Sequence, residues 1–347
     1  DQYAEELGKR LGMSNPLIRQ VKGRAKSDPQ KVVFGAAANY NMLKAAEIVY
    51  NEQIAKPILL GDTKKIQELI DEHSLELSGV EMINPRADEQ EKRRQEFAEI
   101  LYEKHQRQGI TMQAALDHLN HRNYFAPMLV ETGYADAMVS GLIRNYPEAI
   151  KPAMDIIGMR DGERLVTGMY IINTKRGPYF FADCTVNKSP TAEDLIDITL
   201  QTVTAVNKLG TKPRVAFVSY SNFGSNPGDI PEKQGRAIEY LHKHYPDIIV
   251  DGEMQANIAL NNDILKENFP FSKLVNGPAN TLIFPYLTAG NIAFKLLQEL
   301  ADVEVIGPIL NGMKKSVHVL QIGSSVNEIV NMVMIACVDA ICVKRKC

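Results

Sequence analysis

The stretch "KVVFGAAANYNMLKAAEIVYNEQIAKPILLGD", residues 31–62, decides the architecture. It opens on a short apolar run, KVVFGAA (31–37), and passes through a helix-length amphipathic segment. It closes on a second apolar run, KPILLGD (56–62). Short buried runs bounded by turn residues read as strands, and longer segments with helical spacing read as helices. The alternation continues through TKKIQELIDEH (63–73), GVEMINP (79–85), the charged segment 88–109 and ADAMVSG (135–141). Such strand–helix alternation predicts a mainly parallel, doubly wound α/β sheet.

The middle of the chain breaks the pattern. RLVTGMYIIN (164–173) and GPYFFADCTV (177–186) flank a Lys-Arg-Gly turn at 175–177, which predicts an antiparallel hairpin. The helix 191–210 and the strands RVAFVSYS and IIVDGEMQ follow, and NTLIFPYL and VEVIGPIL resume the alternation. A length of 347 residues exceeds one ordinary core, so two packed domains with a cleft between them are expected. The first would comprise 1–150 plus 301–347, and the second 151–300 with the hairpin.

Apolar content of 45% and charged content of 23% are those of a globular protein. A net charge of -3 gives no field that asks for nucleic acid or an anionic membrane. No stretch approaches the run of about 18 apolar residues that a membrane span needs. The polar start carries no signal-peptide pattern and no initiator Met, so a cytoplasmic piece of a longer chain is expected. Cys337, Cys342 and Cys347 recur at i, i+5, i+10, unlike a metal knuckle, and with Cys184 they are expected to be free thiols.

Several motifs are absent. Neither G-x-G-x-x-G after a strand, nor a P-loop, nor G-x-S-x-G, nor H-E-x-x-H occurs. His242 and His244 are two apart, a spacing that separates them on a helix, so no metal pair is expected. The loop SYSNFGSNPGD (219–229) follows a buried strand, where open α/β sheets bind ligands; an ordinary polar loop is the alternative. Asp251 and Glu253 end another strand and would suit acid–base work or a strand-end turn. In NTLIFPYLTAGNIAFKLLQEL (280–300) a helix is expected from near Asn291. The backbone N–H groups of Ala289, Gly290 and Asn291 would then be available to an anion, although Gly290 would equally serve close packing. Ser325 and Glu328 fit a capping box at the start of the last helix.

In order, RVAFVSYSNFGS, VDGEMQANIALN, NTLIFPYLTAGNIAFKLLQEL, IGPILNGMKKSVHVL and SSVNEIVNMV resemble the phosphate acetyltransferase (phosphotransacetylase) family, as do KVVFGAAANYNMLKAAEIV and LYEKHQRQGIT. The resemblance spans roughly residues 14 to 340. It implies two doubly wound three-layer α/β/α domains of the kind shared with isocitrate and isopropylmalate dehydrogenases. It also implies an acetyl-CoA and phosphate site in the inter-domain cleft, and dimers formed through the second domain. The acyl-CoA contacts it implies are Ser219, Ser221, Asn222, Tyr286, Asn291, His318, Ser324 and Ser325.

The chemistry departs from the family. Active members carry Ser-Arg before the final helix, where this chain has Gln321-Ile322. Isoleucine cannot stabilise developing negative charge. Glu328 keeps an acidic position, His105 falls where the family has an arginine, Ala36-Ala37-Ala38-Asn39 replaces an acidic turn, and Tyr286 replaces an aspartate. If the chain is an active phosphate acetyltransferase, Arg144, His105, His318 and Glu328 are the candidates for catalysis, and no metal is expected.

VSGLIRNYPEAIKPAMDIIG, VHVL and SVNEIVNMVMIACVDA resemble more closely the C-terminal phosphotransacetylase-like domain of bacterial NADP-dependent malic enzymes. That resemblance implies a regulatory domain answering to acetyl-CoA. NADP and a divalent metal would serve an N-terminal malic module in cis, outside this chain. A domain that only dimerises its parent, as a homodimer or higher oligomer, is a third expectation.

Overall fold

The computed structural model describes residues 16–141, 146–301 and 303–345. In chain order the elements run α1 (Pro16–Ser27), β1 (Gln30–Phe34), α2 (Tyr40–Asn51), β2 (Ala55–Leu60), α3 (Thr63–Glu72) and β3 (Glu81–Ile83). Then come α4 (Glu91–His105), α5 (Met112–Leu119), α6 (Arg122–Glu131), β4 (Ala137–Gly141) and α7 (Tyr146–Ile157). The middle holds β5 (Thr167–Thr174), β6 (Gly177–Ala182), α8 (Ala192–Lys208), β7 (Val215–Val218), α9 (Asp229–His244) and β8 (Val250–Met254). The chain ends with α10 (Ala256–Leu260), α11 (Asn262–Asn268), β9 (Thr281–Ile283), α12 (Leu287–Leu300), β10 (Glu304–Asn311), β11 (Ser316–Leu320) and α13 (Val326–Arg345).

Two compact units emerge, one of residues 1–161 with 313–347 and the other of residues 162–312. The first contains a five-stranded parallel sheet in the order β11-β4-β1-β2-β3. Val32, Val33 and Phe34 are wholly buried. A strand buried on both faces needs helices above and below, which is what a parallel sheet provides. Local chemistry fixes the helix starts: Asn39 accepts from the Met42 N–H, and Asp62 from those of Lys64 and Lys65. Gly141 ends β4 at φ +120°, where a Cβ would lie 2.2 Å from the Leu320 carbonyl oxygen. Only glycine lets β4 and β11 meet there.

The second unit contains a six-stranded sheet in the order β10-β5-β6-β9-β7-β8. β6, β9, β7 and β8 are parallel, whereas β5 runs antiparallel to both β6 and β10. The hairpin read at 175–177 is the β5–β6 connection. Because β10 pairs with β5, residues 304–311 lie in the second sheet, and the units divide at 161/162 and 312/313 instead of at 150 and 300. The stacked rings of Tyr170 and Phe294, 3.9 Å between centroids, join the sheet to α12 in the core.

α13 is long and apolar enough, by length and composition, to cross a membrane, contrary to the expectation that no stretch comes close. Two-thirds of its apolar window is buried within the protein, against β11, β4, β1 and α2, so it serves as a core helix. Cys184, Cys337 and Cys342 are buried and form no disulfide, and Cys347 lies outside the described residues. Burial pushes the Cys337 thiol up to about 12.

Candidate functional site

Two groups of nominated residues form, one at the strand carboxyl ends of each unit, where doubly wound sheets present their loops. In the second unit the loop after β7 is zipped to the end of β8. Asn222 Oδ1 accepts from the Gln255 N–H at 2.8 Å, and the Glu253 carboxylate accepts from the Gly224 N–H at 2.7 Å. Ser221 is fully buried and its hydroxyl accepts from Asn226 N–H at 3.0 Å. Glu253 is thereby a loop anchor. Asp251 accepts from the Ser272 hydroxyl and the Lys273 N–H, at 2.8 and 2.7 Å. Both carboxylates are thus engaged in holding loops.

Two residues that the sequence reading passed over organise this edge. Lys233 on α9 is buried, and its ammonium donates to the carbonyls of Pro190 and Pro285 at 2.9 and 2.8 Å. It also lies 3.8 Å from the Tyr286 ring centroid, a cation–π contact. Burial lowers the pKa of this ammonium, with Asp194 opposing the shift. Lys233 thus ties together the loops that follow β6 and β9. Its neighbour Gln234 donates to the Val218 carbonyl at 2.9 Å. The signal was available: Gln234, Ala237, Ile238 and Leu241 recur at helical spacing, so polar residues at 233 and 234 fall on the buried stripe.

Asp183, just after β6, is the other. Its carboxylate accepts from the N–H groups of Gly168, Thr185, Val186 and Asn187 and from the Asn187 side chain. Burial pushes its carboxyl up, and the donors pull it back down. Three polar atoms at this edge, Ser219 Oγ, Gln234 Oε1 and Thr185 Oγ1, are buried without a hydrogen-bond partner among the described residues. Such atoms are uncommon in folded proteins.

Asn291 does not begin a helix. α12 starts at Leu287, with Tyr286 as its extended N-cap after Pro285. The N–H groups of Ala289 and Gly290 consequently bond to the Tyr286 carbonyl, and the anion site read there does not form. The Asn291 amide donates to the Cys184 carbonyl at 3.2 Å. Gly290 is there for packing: a Cβ would lie 2.7 Å from Cys184 Sγ.

In the first unit the turn between β11 and α13 folds onto itself. The Ser325 N–H donates to the Glu328 carboxylate at 2.7 Å, and the Glu328 N–H to the Ser325 hydroxyl at 3.3 Å. This is the reciprocal capping box read from the sequence. Ser324 Oγ donates to the Gln321 carbonyl at 3.0 Å, and the Ser324 carbonyl accepts from Asn41. Ile322 is 66% exposed at the tip.

The remaining catalytic nominations are dispersed. His318 is wholly buried in β11, 3.3 Å from the Ser316 hydroxyl. His105 Nε2 donates to the Asp155 carbonyl at 3.0 Å, and Lys104 to that of Ile156, so both cap the end of α7. Arg144 lies outside the described residues. Among the described residues no three His, Cys, Asp or Glu side chains gather into a metal-binding group.

Two α/β units whose loops gather at the carboxyl edges of their sheets define a two-domain α/β architecture, and comparison with known proteins narrows it to a family. The family model of phosphate acetyl/butaryl transferase matches residues 16–337, and the chain belongs to that family. It is 37% identical to the phosphate acetyltransferase of Thermoanaerobacterium thermosaccharolyticum, over 93% of this chain and 99% of the relative. It is 34% identical to an NADP-dependent malic enzyme of Haemophilus influenzae, over 98% of this chain but 45% of that protein's length. The crystal structure of a phosphotransacetylase from Streptococcus pyogenes, 30% identical, matches with a TM-score of 0.85 over 94% of this chain and 98% of that one.

Proposed function

We propose that this chain binds acetyl-CoA, or a related acyl-CoA or acyl phosphate, without efficiently transferring the acyl group. In this reading it is the regulatory, acetyl-CoA-responsive part of a cytoplasmic NADP-dependent malic enzyme. The oxidative decarboxylation of malate to pyruvate, with NADP and a divalent metal, belongs to an N-terminal module outside these residues. The observation that carries the reading is the turn 321–325. It is closed by its own capping box and carries Gln321 and an exposed Ile322 where active family members have Ser-Arg. His105 and Glu328 are committed to helix capping, which supports the same view.

The unpartnered polar atoms Ser219 Oγ, Gln234 Oε1 and Thr185 Oγ1 favour ligand binding at the second unit's edge. α12 exposes Ile292, Leu296 and Leu300 at i, i+4, i+8, by 52, 53 and 82%, a stripe suited to dimerisation. Calorimetric titration with acetyl-CoA tests the binding. Absence of heat or saturation at millimolar ligand removes the proposal.

A second reading has its own support. The phosphate acetyltransferase relative is covered over 99% of its length and the malic enzyme over only 45%, so the comparisons favour an active transferase over a regulatory domain. Direct thiolate attack on acetyl phosphate needs positioning and charge stabilisation more than a covalent nucleophile. A coupled assay of acetyl-CoA formation from acetyl phosphate separates the two readings.

A further inference from the structure

The second unit carries a cavity of about 560 Å³ that the carboxyl-edge groups do not use. Its walls include Tyr179 and Phe181 from β6, Leu260 at the end of α10, Leu297 on α12, and Val303. Its rim carries Lys175 and Arg176, the two residues of the β5–β6 turn. That turn abuts Gly177, the first residue of β6, so the rim marks the amino-terminal edge of the parallel strands. Ser219, Gln234 and Thr185 follow or flank the opposite, carboxyl edge.

Three observations bear on what the cavity takes. Its size falls within the range of small-molecule sites, and its walls are aliphatic and aromatic. Both rim cations are exposed, and neither forms an ion pair among the described residues. The turn that presents them is held by the Thr174 hydroxyl, which donates to the Gly177 carbonyl at 2.9 Å and accepts from the Arg176 N–H at 3.1 Å. An open apolar cavity lined also by a guanidinium and an ammonium is complementary to a molecule with one anionic end and a hydrocarbon or aromatic body. The guanidinium fork matches a carboxylate in two parallel hydrogen bonds.

We propose that this cavity is a binding site for an amphipathic monocarboxylate, its apolar body against Phe181 and Leu297 and its carboxylate at Lys175 and Arg176. The site is independent of the acyl-CoA reading, because it lies at the other edge of the sheet and shares none of the residues named for it.

The test is calorimetric titration of the full chain with decanoate below its micelle concentration, with decanol as the uncharged control. Saturable one-site binding of decanoate, tighter than decanol, is expected. The double substitution Lys175→Ala, Arg176→Ala should weaken decanoate by about three- to tenfold, the range for two solvent-exposed charge contacts, and leave decanol unchanged. Leu297→Glu, at an exposed wall position, should abolish decanoate binding. Phe271→Ser, which removes a 70% exposed ring outside the cavity, should not alter it. Absence of saturation, or equal affinity in the wild type, the double variant and Leu297→Glu, would overturn the proposal.

Discussion

Replacing Asp183 by alanine should destabilise the second unit more than any other single polar change at its carboxyl edge. The carboxylate, 2% exposed, accepts from Thr185 N at 2.8 Å, Asn187 N at 2.9 Å, Val186 N at 3.1 Å and Gly168 N at 3.3 Å, and from Asn187 Nδ2 at 2.5 Å. Alanine strands all five donors. A buried donor left unsatisfied costs about 1–3 kcal/mol, and water entering the vacated space recovers part of the sum. A net loss of about 3–5 kcal/mol follows, the range seen when one partner of a buried charged group is removed. For a unit of this size about 2–4 °C accompanies each kcal/mol, so the melting temperature should fall by about 6–20 °C. Scanning calorimetry reads the shift, and hydrogen exchange across residues 183–191 assigns it to the second unit. Asp183→Asn, which keeps one carbonyl but turns an NH₂ toward the donors, should fall between the two. A shift below about 2 °C for Asp183→Ala would refute the reasoning.

Acid stability of the first unit should depend on Glu47. Burial works against its ionisation, but the hydrogen-bonded Lys44 ammonium and the Glu76 N–H outweigh that and hold its pKa below the ordinary glutamate value. A depressed carboxyl pKa stabilises the fold above the unfolded value, about 4.3, and that stability is lost as pH falls through the folded pKa. Glu47→Gln should flatten this limb in urea melts at decreasing pH, and an unchanged pH profile would contradict the assignment. Cys184, Cys337 and Cys342 should resist alkylation in the native state at pH 8, since burial keeps Cys184 and Cys337 protonated; native labelling of Cys337 on a mass-spectrometric map would be inconsistent with its burial. Gln321→Ser with Ile322→Arg should raise acetyl transfer by up to about 10²–10³, the value of one charge-stabilising donor, and no gain in the coupled assay would show that the loss lies elsewhere.

Much of this fold was legible because its signals are local. The apolar runs at 31–37 and 56–62 became β1 and β2, paired in parallel with Val33 opposite Ile58. The Lys-Arg-Gly turn became the β5–β6 hairpin, and Ser325 and Glu328 closed the capping box they spelled out. Readings that depended on long-range packing were less secure. β10 lies in the second sheet, not with the first unit as its position in the chain suggests, because its partner, β5, is some 130 residues away in sequence (Asn173 to Glu304) and nothing in VEVIGPIL names that partner. α12 starts at Leu287, four residues before the expected place, since the extended Tyr286 after Pro285 caps the helix without a side-chain hydrogen bond. Lys233 and Asp183 were missed for a common reason: a lone lysine on a helix and a lone aspartate after a strand are ordinary on a surface. Only the fold reveals that one bridges two loops and that the other holds the first of these, the loop after β6, from within.

The most direct test of the central claim measures binding and turnover on the same preparation. Acetyl-CoA is titrated by calorimetry, and its formation from acetyl phosphate and CoA is followed in a coupled assay. The account predicts saturable binding with turnover at least about 10²-fold below ordinary enzyme rates of roughly 10 s⁻¹. Turnover at the ordinary rate would contradict it and make the chain a working transferase despite Gln321 and Ile322.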